Sequence, residues 1–154
     1  MPLSPIMNLL DIHVEKVTPD TLAGFDRIAM VDVQPHYFGG LIDRVDLVID
    51  HHPEQPGYSA TFKDIRSDYG STSTILTEHL RAADVNISER MATAMLYAIK
   101  SDTLFFNRQT NRVDIEAFSY LLPHLLALGG ITLEQRLGGV AQGPGQLPAQ
   151  VVDV

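Results

Sequence analysis

Two short apolar runs, Arg27-Ile-Ala-Met-Val-Asp32 and Val45-Asp-Leu-Val-Ile-Asp50, constrain the fold more than any other feature of the chain. Each is nearly continuous in hydrophobic residues and each ends in aspartate, the pattern of strands covered on both faces in a parallel sheet. Between them Pro35 and Gly39-Gly40 interrupt regular structure, which predicts a loop with room for a short helix. The alternation Tyr58/Ala60/Phe62 within Gly57 to Ile65 predicts a further strand, half exposed.

After Gly70 the period becomes helical. Ile75, Leu76, Leu80 and Ala83 share one face of a helix from Ser71, with Ser71 or Thr72 available as its cap. A second helix opens at Ser88-Glu89 and delivers the chain to Ser101-Asp102-Thr103. A third begins near Val113, is expected to bend at Pro123 and stops at Gly129-Gly130. The fold class predicted is α/β, a parallel sheet flanked by helices over residues 1–137, followed by a Gly/Pro-rich segment, 138–154, read as flexible.

A chain of 154 residues, 45% of them hydrophobic, is enough for one domain with a real core. Its formal charge of −8 repels nucleic-acid backbones, so binding to duplex DNA is not expected. With no cysteine, disulfides, thiolate zinc sites and cysteine nucleophiles are excluded, and any metal must sit on histidine and carboxylate ligands. The amino-terminal stretch lacks a basic leader and no window reaches membrane-spanning length, so a cytoplasmic protein without membrane contact is expected.

Chemistry concentrates where the second run ends, at Asp50-His51-His52. In open α/β sheets the functional crevice lies at the carboxyl ends of strands. There Asp32 and His51 would come within reach of one cation, and Asp102 would close the set. Mixed oxygen and imidazole ligation suits Mn²⁺, and less selectively Zn²⁺ or Fe²⁺, better than Ca²⁺. Each residue also has a plain structural reading. Asp32 could terminate a strand, Asp102 a helix, and Gly70-Ser71-Thr72-Ser73-Thr74 could be a capping run, since it lacks the lysine of a P-loop. His13, His36, His79 and His124 have no acid partner at ligand spacing and are read as surface or interface residues.

Four motifs in one order carry a resemblance. Asp32 at a strand end, Asp50-His51-His52, Gly70-Ser71-Thr72-Ser73-Thr74 opening a helix, and Ile99-Lys-Ser-Asp-Thr103 together resemble the DHH phosphoesterase family, in its RecJ-like and nanoRNase or cyclic-dinucleotide phosphodiesterase branch. The likeness runs from Ile28 to Tyr120. It implies that Asp32, His51 and Asp102 are metal ligands and that Asp32 bridges the two ions of a two-Mn²⁺ centre, with Mg²⁺ or Zn²⁺ as alternatives. His52 would contact the scissile phosphate or protonate the leaving oxygen, and Asp50 would orient the imidazoles, making these two the catalytic pair. Gly70 and Ser71 match the turn beside the metals. Arg108, with Arg112 close by, is the candidate phosphate-binding cation on position alone.

The family's first motif, His-x-x-x-Asp-x-Asp, has no counterpart before Asp32, because His13 is followed by Val14, Glu15, Lys16 and Val17. No second, glycine-rich substrate domain follows Leu137 either. The expectation is therefore a truncated DHH-type domain that holds at most one cation. Its substrate class is a small phosphate compound or short single-stranded oligonucleotide, and little or no turnover is expected from the chain alone, because the first-motif ligands are absent. The alternative from another class is a non-catalytic domain that keeps the fold for ligand sensing or assembly. Loss of an amino-terminal strand would leave a sheet edge open, which predicts self-association into a homo-oligomer.

Overall fold

A short parallel sheet and a three-helix layer organise the chain, and the computed structural model describes Met7, residues 10–42 and residues 44–126. Element order is α1 (Pro19–Ala23), β1 (Ala29–Val31), a 3₁₀ turn (Pro35–Phe38), β2 (Arg44–Asp50), β3 (Ser59–Ile65), α2 (Thr72–Ala82), α3 (Glu89–Asp102) and α4 (Arg112–Leu126). The α/β class and the parallel sheet flanked by helices are as the hydrophobic runs predict. The expected stop at Gly129-Gly130 and the 138–154 segment lie outside the described residues.

The strands are parallel in the order β1-β2-β3, with Met30 opposite Val48 and Val48 in turn opposite Lys63. This register brings the ends of β1 and β2 together. Ile49 is the partner of Val31, so the residues that follow the two strands, Asp32 and the 50–52 stretch, emerge side by side. Strand β2 is the buried centre, whereas β3 is a strand as expected but has no buried residue, and Phe62 of its alternating set is exposed.

Strand β1 departs from expectation. Only Met30 of its three residues is buried and Val31 is exposed, so the run is not covered on both faces. It forms an edge of the sheet, beside an apolar groove of about 360 Å³ lined by Val17, Leu22, Phe25, Val31, Phe38 and Ile42. Pattern alone reads a continuous apolar run as doubly buried. An edge strand breaks that rule because, among the described residues, no further strand pairs with its outer edge.

Two apolar clusters hold the molecule. Met30, Ile42, Val45 and Val48 form the sheet cluster. Ile87, Ala92, Met95, Leu96, Ile99, Ala117, Phe118, Leu121 and Leu125 form the larger helical one, from the α3 and α4 faces predicted by their spacing. Helix α2 joins them by packing against β2 as well as α3 and α4. Its Ile75 is fully buried, and Ser71 caps it by accepting from Ser73 N–H at 3.2 Å. Ser88 caps α3 through Met91 N–H. Helix α4 runs through Pro123 to Leu126, past the expected bend.

The one-turn helix α1, held by reciprocal Thr18 and Thr21 bonds, is not signalled by hydrophobic periodicity. Among the described residues no helix is long and apolar enough to cross a membrane.

Candidate metal centre

Asp32 immediately follows β1. Its N–H continues the ladder to Ile49 carbonyl at 3.0 Å, and its φ of +65° is left-handed, a conformation that aspartate tolerates better than most residues. The Thr72 hydroxyl at the start of α2 donates to Asp32 Oδ1 at 2.7 Å and accepts from His51 N–H at 3.1 Å. One side chain therefore links the carboxylate to the histidine backbone. His51 Nε2 lies 3.6 Å from Asp32 Oδ1.

The two imidazoles are held by different partners. His51 Nδ1 is 3.3 Å from the carbonyl of Tyr69, and because a carbonyl can only accept, Nδ1 carries the proton of that bond, so a neutral ring held this way has its lone pair on Nε2. His52 Nδ1 is 2.8 Å from Asp50 Oδ1, and the same oxygen accepts His52 N–H at 3.1 Å. Asp50 is fully buried, with its second oxygen accepting from Gln34 Nε2 at 2.7 Å. It therefore orients one of the two imidazoles, His52, and reaches no cavity surface itself. Gln34, also fully buried, further donates to Pro53 carbonyl at 3.2 Å and accepts Gln55 N–H at 2.8 Å, which fixes the loop after the histidines.

Among the described residues, ligand atoms of Asp32, His51 and His52 lie within 4.8 Å of one another. Asp102, expected as the third ligand, is not in that group. It lines the adjoining cavity of about 220 Å³ together with His51, His52, Gly70, Arg108 and Gln109. Burial pushes the Asp102 carboxyl above its ordinary pKa, the bond donated by Ser71 Oγ at 2.7 Å opposes this, and the nearby charge of Asp32 adds to it.

Of the residues expected to touch substrate, Gly70 and Arg108 line the cavity. Ser71 is fully buried with both roles of its hydroxyl taken, as helix cap and as donor to Asp102. A Cβ on Gly70 would stand 2.7 Å from Gln109 carbonyl and 2.8 Å from both Asp114 Oδ2 and Thr103 Cγ2, so only glycine fits there.

Arg108 reaches the cavity by an unusual path. Leu104, Phe105 and Phe106 have successive φ values of +47°, +54° and +67°, each costing about 1–2 kcal/mol for an L-residue. Bonds from Phe105 N–H to Lys100 carbonyl at 2.8 Å and from Arg108 N–H to Thr103 carbonyl at 2.9 Å close the turn. Phe106 packs edge-on against Phe118 at 5.3 Å, anchoring it to the helical core.

The donors present fit a divalent cation. One carboxylate and two imidazoles, each imidazole with Nδ1 engaged elsewhere, leave Nε2 as the free nitrogen, the arrangement that orients histidine toward a metal. Gln34 and Asp114 are absent from the sequence reading because their partners lie far along the chain. Two histidines read as lacking an acid partner have one: His79 lies 2.8 Å from Asp64 Oδ2, brought beside it because β3 runs next to α2, and the exposed His13 lies 3.5 Å from Asp11 Oδ1.

No family model matches the chain. An uncharacterized protein of Methanocaldococcus jannaschii is 34% identical over 121 residues, which cover 78% of this chain and 25% of that protein. The chain thus spans about a quarter of the length of the curated relative it matches.

Proposed function

We propose that this chain supplies part of the divalent-metal centre of a phosphoesterase acting on phosphodiester bonds in short oligonucleotides, cyclic dinucleotides or related phosphates. The observation that carries the reading is the meeting of Asp32, His51 and His52 ligand atoms within 4.8 Å beside a cavity that Arg108 also lines. Mn²⁺ suits this donor set best, with Mg²⁺ or Zn²⁺ as alternatives. A bound cation supplies Lewis-acid polarisation of a phosphate oxygen and acidifies water.

The chain's own residues divide the remaining work. His51, the less exposed imidazole at 15%, and Asp32 would hold the ion, while His52, at 47%, is the more open to an incoming phosphate. Asp50 holds the His52 ring through Nδ1 at 2.8 Å, so its Nε2 edge would be the one to meet the scissile phosphate or the leaving oxygen. Arg108 offers a planar guanidinium to a non-bridging phosphate oxygen. Asp102, raised above its ordinary pKa by burial, would be a further carboxylate donor beside the site when a cation is bound.

Hydrolysis of bis(4-nitrophenyl) phosphate tests the reading. Slow turnover that rises with Mn²⁺ and disappears in both H51A and D32A is expected, whereas turnover indifferent to those substitutions refutes the site. A second reading, a non-catalytic domain for ligand sensing or assembly, draws on the small donor set: three close ligand atoms among the described residues suit one cation, not two. Mn²⁺ binding with no hydrolysis, even in a longer protein supplying further acidic ligands, would favour it.

A further inference from the structure

The carbonyl that holds His51 belongs to the Tyr69–Gly70 peptide, and the N–H of that same peptide is held by Asp114. Gly70 N–H lies 3.1 Å from Asp114 Oδ1 and 3.0 Å from Oδ2. In a trans peptide the carbonyl and N–H point opposite ways, so Asp114 and His51 grip one amide from its two sides. Asp114 is fully buried and also accepts from Thr74 Oγ1 at 2.6 Å and Asn111 N–H at 2.7 Å.

Capping of α4 explains the Asn111 bond and nothing more, since a third-position acid ordinarily reaches back only to the N–H of the residue that caps its own helix, here Asn111. The bonds to Gly70 and Thr74 cross to another element. A carboxylate accepting an amide N–H strengthens the carbonyl of that amide as an acceptor, because hydrogen bonds in a chain polarise one another. The strengthened carbonyl favours an imidazole that presents Nδ1–H, which leaves Nε2 free. The absence of a Cβ at Gly70 leaves room for Asp114 to approach this amide, since a Cβ there would stand 2.8 Å from Asp114 Oδ2.

We propose that Asp114 is a positioning residue for the metal centre, holding His51 in its Nδ1–H tautomer through the Tyr69–Gly70 peptide. The cation it serves rests on the proposed function; the tautomer does not. Long-range ¹H–¹⁵N correlation spectra of the metal-free chain read the tautomer directly, with Mn²⁺ affinity as the second readout.

Wild-type His51 is expected as Nδ1–H. D114N is expected to give a mixture of tautomers and about tenfold weaker Mn²⁺ binding, with the native fold retained by circular dichroism. Should D114N lose its fold, T74V removes one donor to the same carboxylate and is expected to shift both readouts in the same direction by less. A wild-type His51 in the Nε2–H form overturns the proposal. A native-like D114N, or T74V in its place, with tautomer and affinity unchanged also overturns it. A wild-type chain that shows the Nδ1–H form but binds no Mn²⁺ upholds the relay and contradicts the phosphoesterase reading, so the two failures are distinguishable.

Discussion

The hydroxyl of Thr72 donates to Asp32 Oδ1 at 2.7 Å, so the first residue of a helix fixes a carboxylate 40 positions earlier in the chain. The Thr72 hydroxyl oxygen in turn accepts His51 N–H at 3.1 Å. Thr72→Val keeps the shape and removes both bonds, freeing Asp32 and His51 together. Mn²⁺ affinity measured by calorimetry is expected to fall about tenfold. An unchanged affinity would mean that the two ligands are held in place without it.

Gly70 is closed in by Gln109 carbonyl, Asp114 Oδ2 and Thr103 Cγ2. Since one of those contacts is backbone and the others belong to buried side chains, none can yield cheaply. Gly70→Ala is expected to cost about 1–3 kcal/mol in urea unfolding, as overpacking of a dense interior does. A loss smaller than a few tenths would show that the turn adjusts freely.

Leu104 adopts φ +47° while remaining 60% exposed, so its side chain gives little in return for the strained backbone. Leu104→Gly removes the steric cost, partly offset by the greater freedom of glycine in the unfolded chain. A gain of about 0.5–1 kcal/mol is expected in thermal or urea unfolding. A loss would mean that Leu104 packs on something beyond its described neighbours.

The Arg66 guanidinium bonds to Asp64 at 2.7 Å through both Nε and NH2, and it also bonds Glu78 and Tyr69 OH. These Arg66 bonds hold the Asp64 carboxyl below its ordinary pKa, with burial opposing and His79 assisting. A carboxyl depressed in the folded state binds fewer protons there than in the unfolded chain. Its contribution is therefore complete above the ordinary carboxylate range and is lost as pH falls through its folded value. Asp64→Asn is expected to lower stability at neutral pH and to flatten the decline below about pH 4. Parallel acid limbs for both proteins would contradict the assignment.

Local rules made much of this legible. Strand β2, helices α2 and α3 and the placing of Asp-His-His at a strand end follow from short apolar runs, a change of period and serine caps, all of which act within a few residues. Relations set by distant packing were not legible. Asp114 sits at a third helical position and reads as an ordinary cap, although it also grips Gly70 across 44 residues. Gln34 lies in a loop where nothing local signals that Asp50 needs a donor. The choice of His52 over Asp102 as third member of the close group depends on how α3 packs, which periodicity does not specify.

Titration of the chain with Mn²⁺, followed by loss of the free-ion paramagnetic resonance signal, tests the central claim most directly. Saturable binding of a single ion, weakened at least about tenfold in both D32A and H51A with the fold intact, is the result predicted. No saturable binding, or binding that both substitutions leave unchanged, would contradict it.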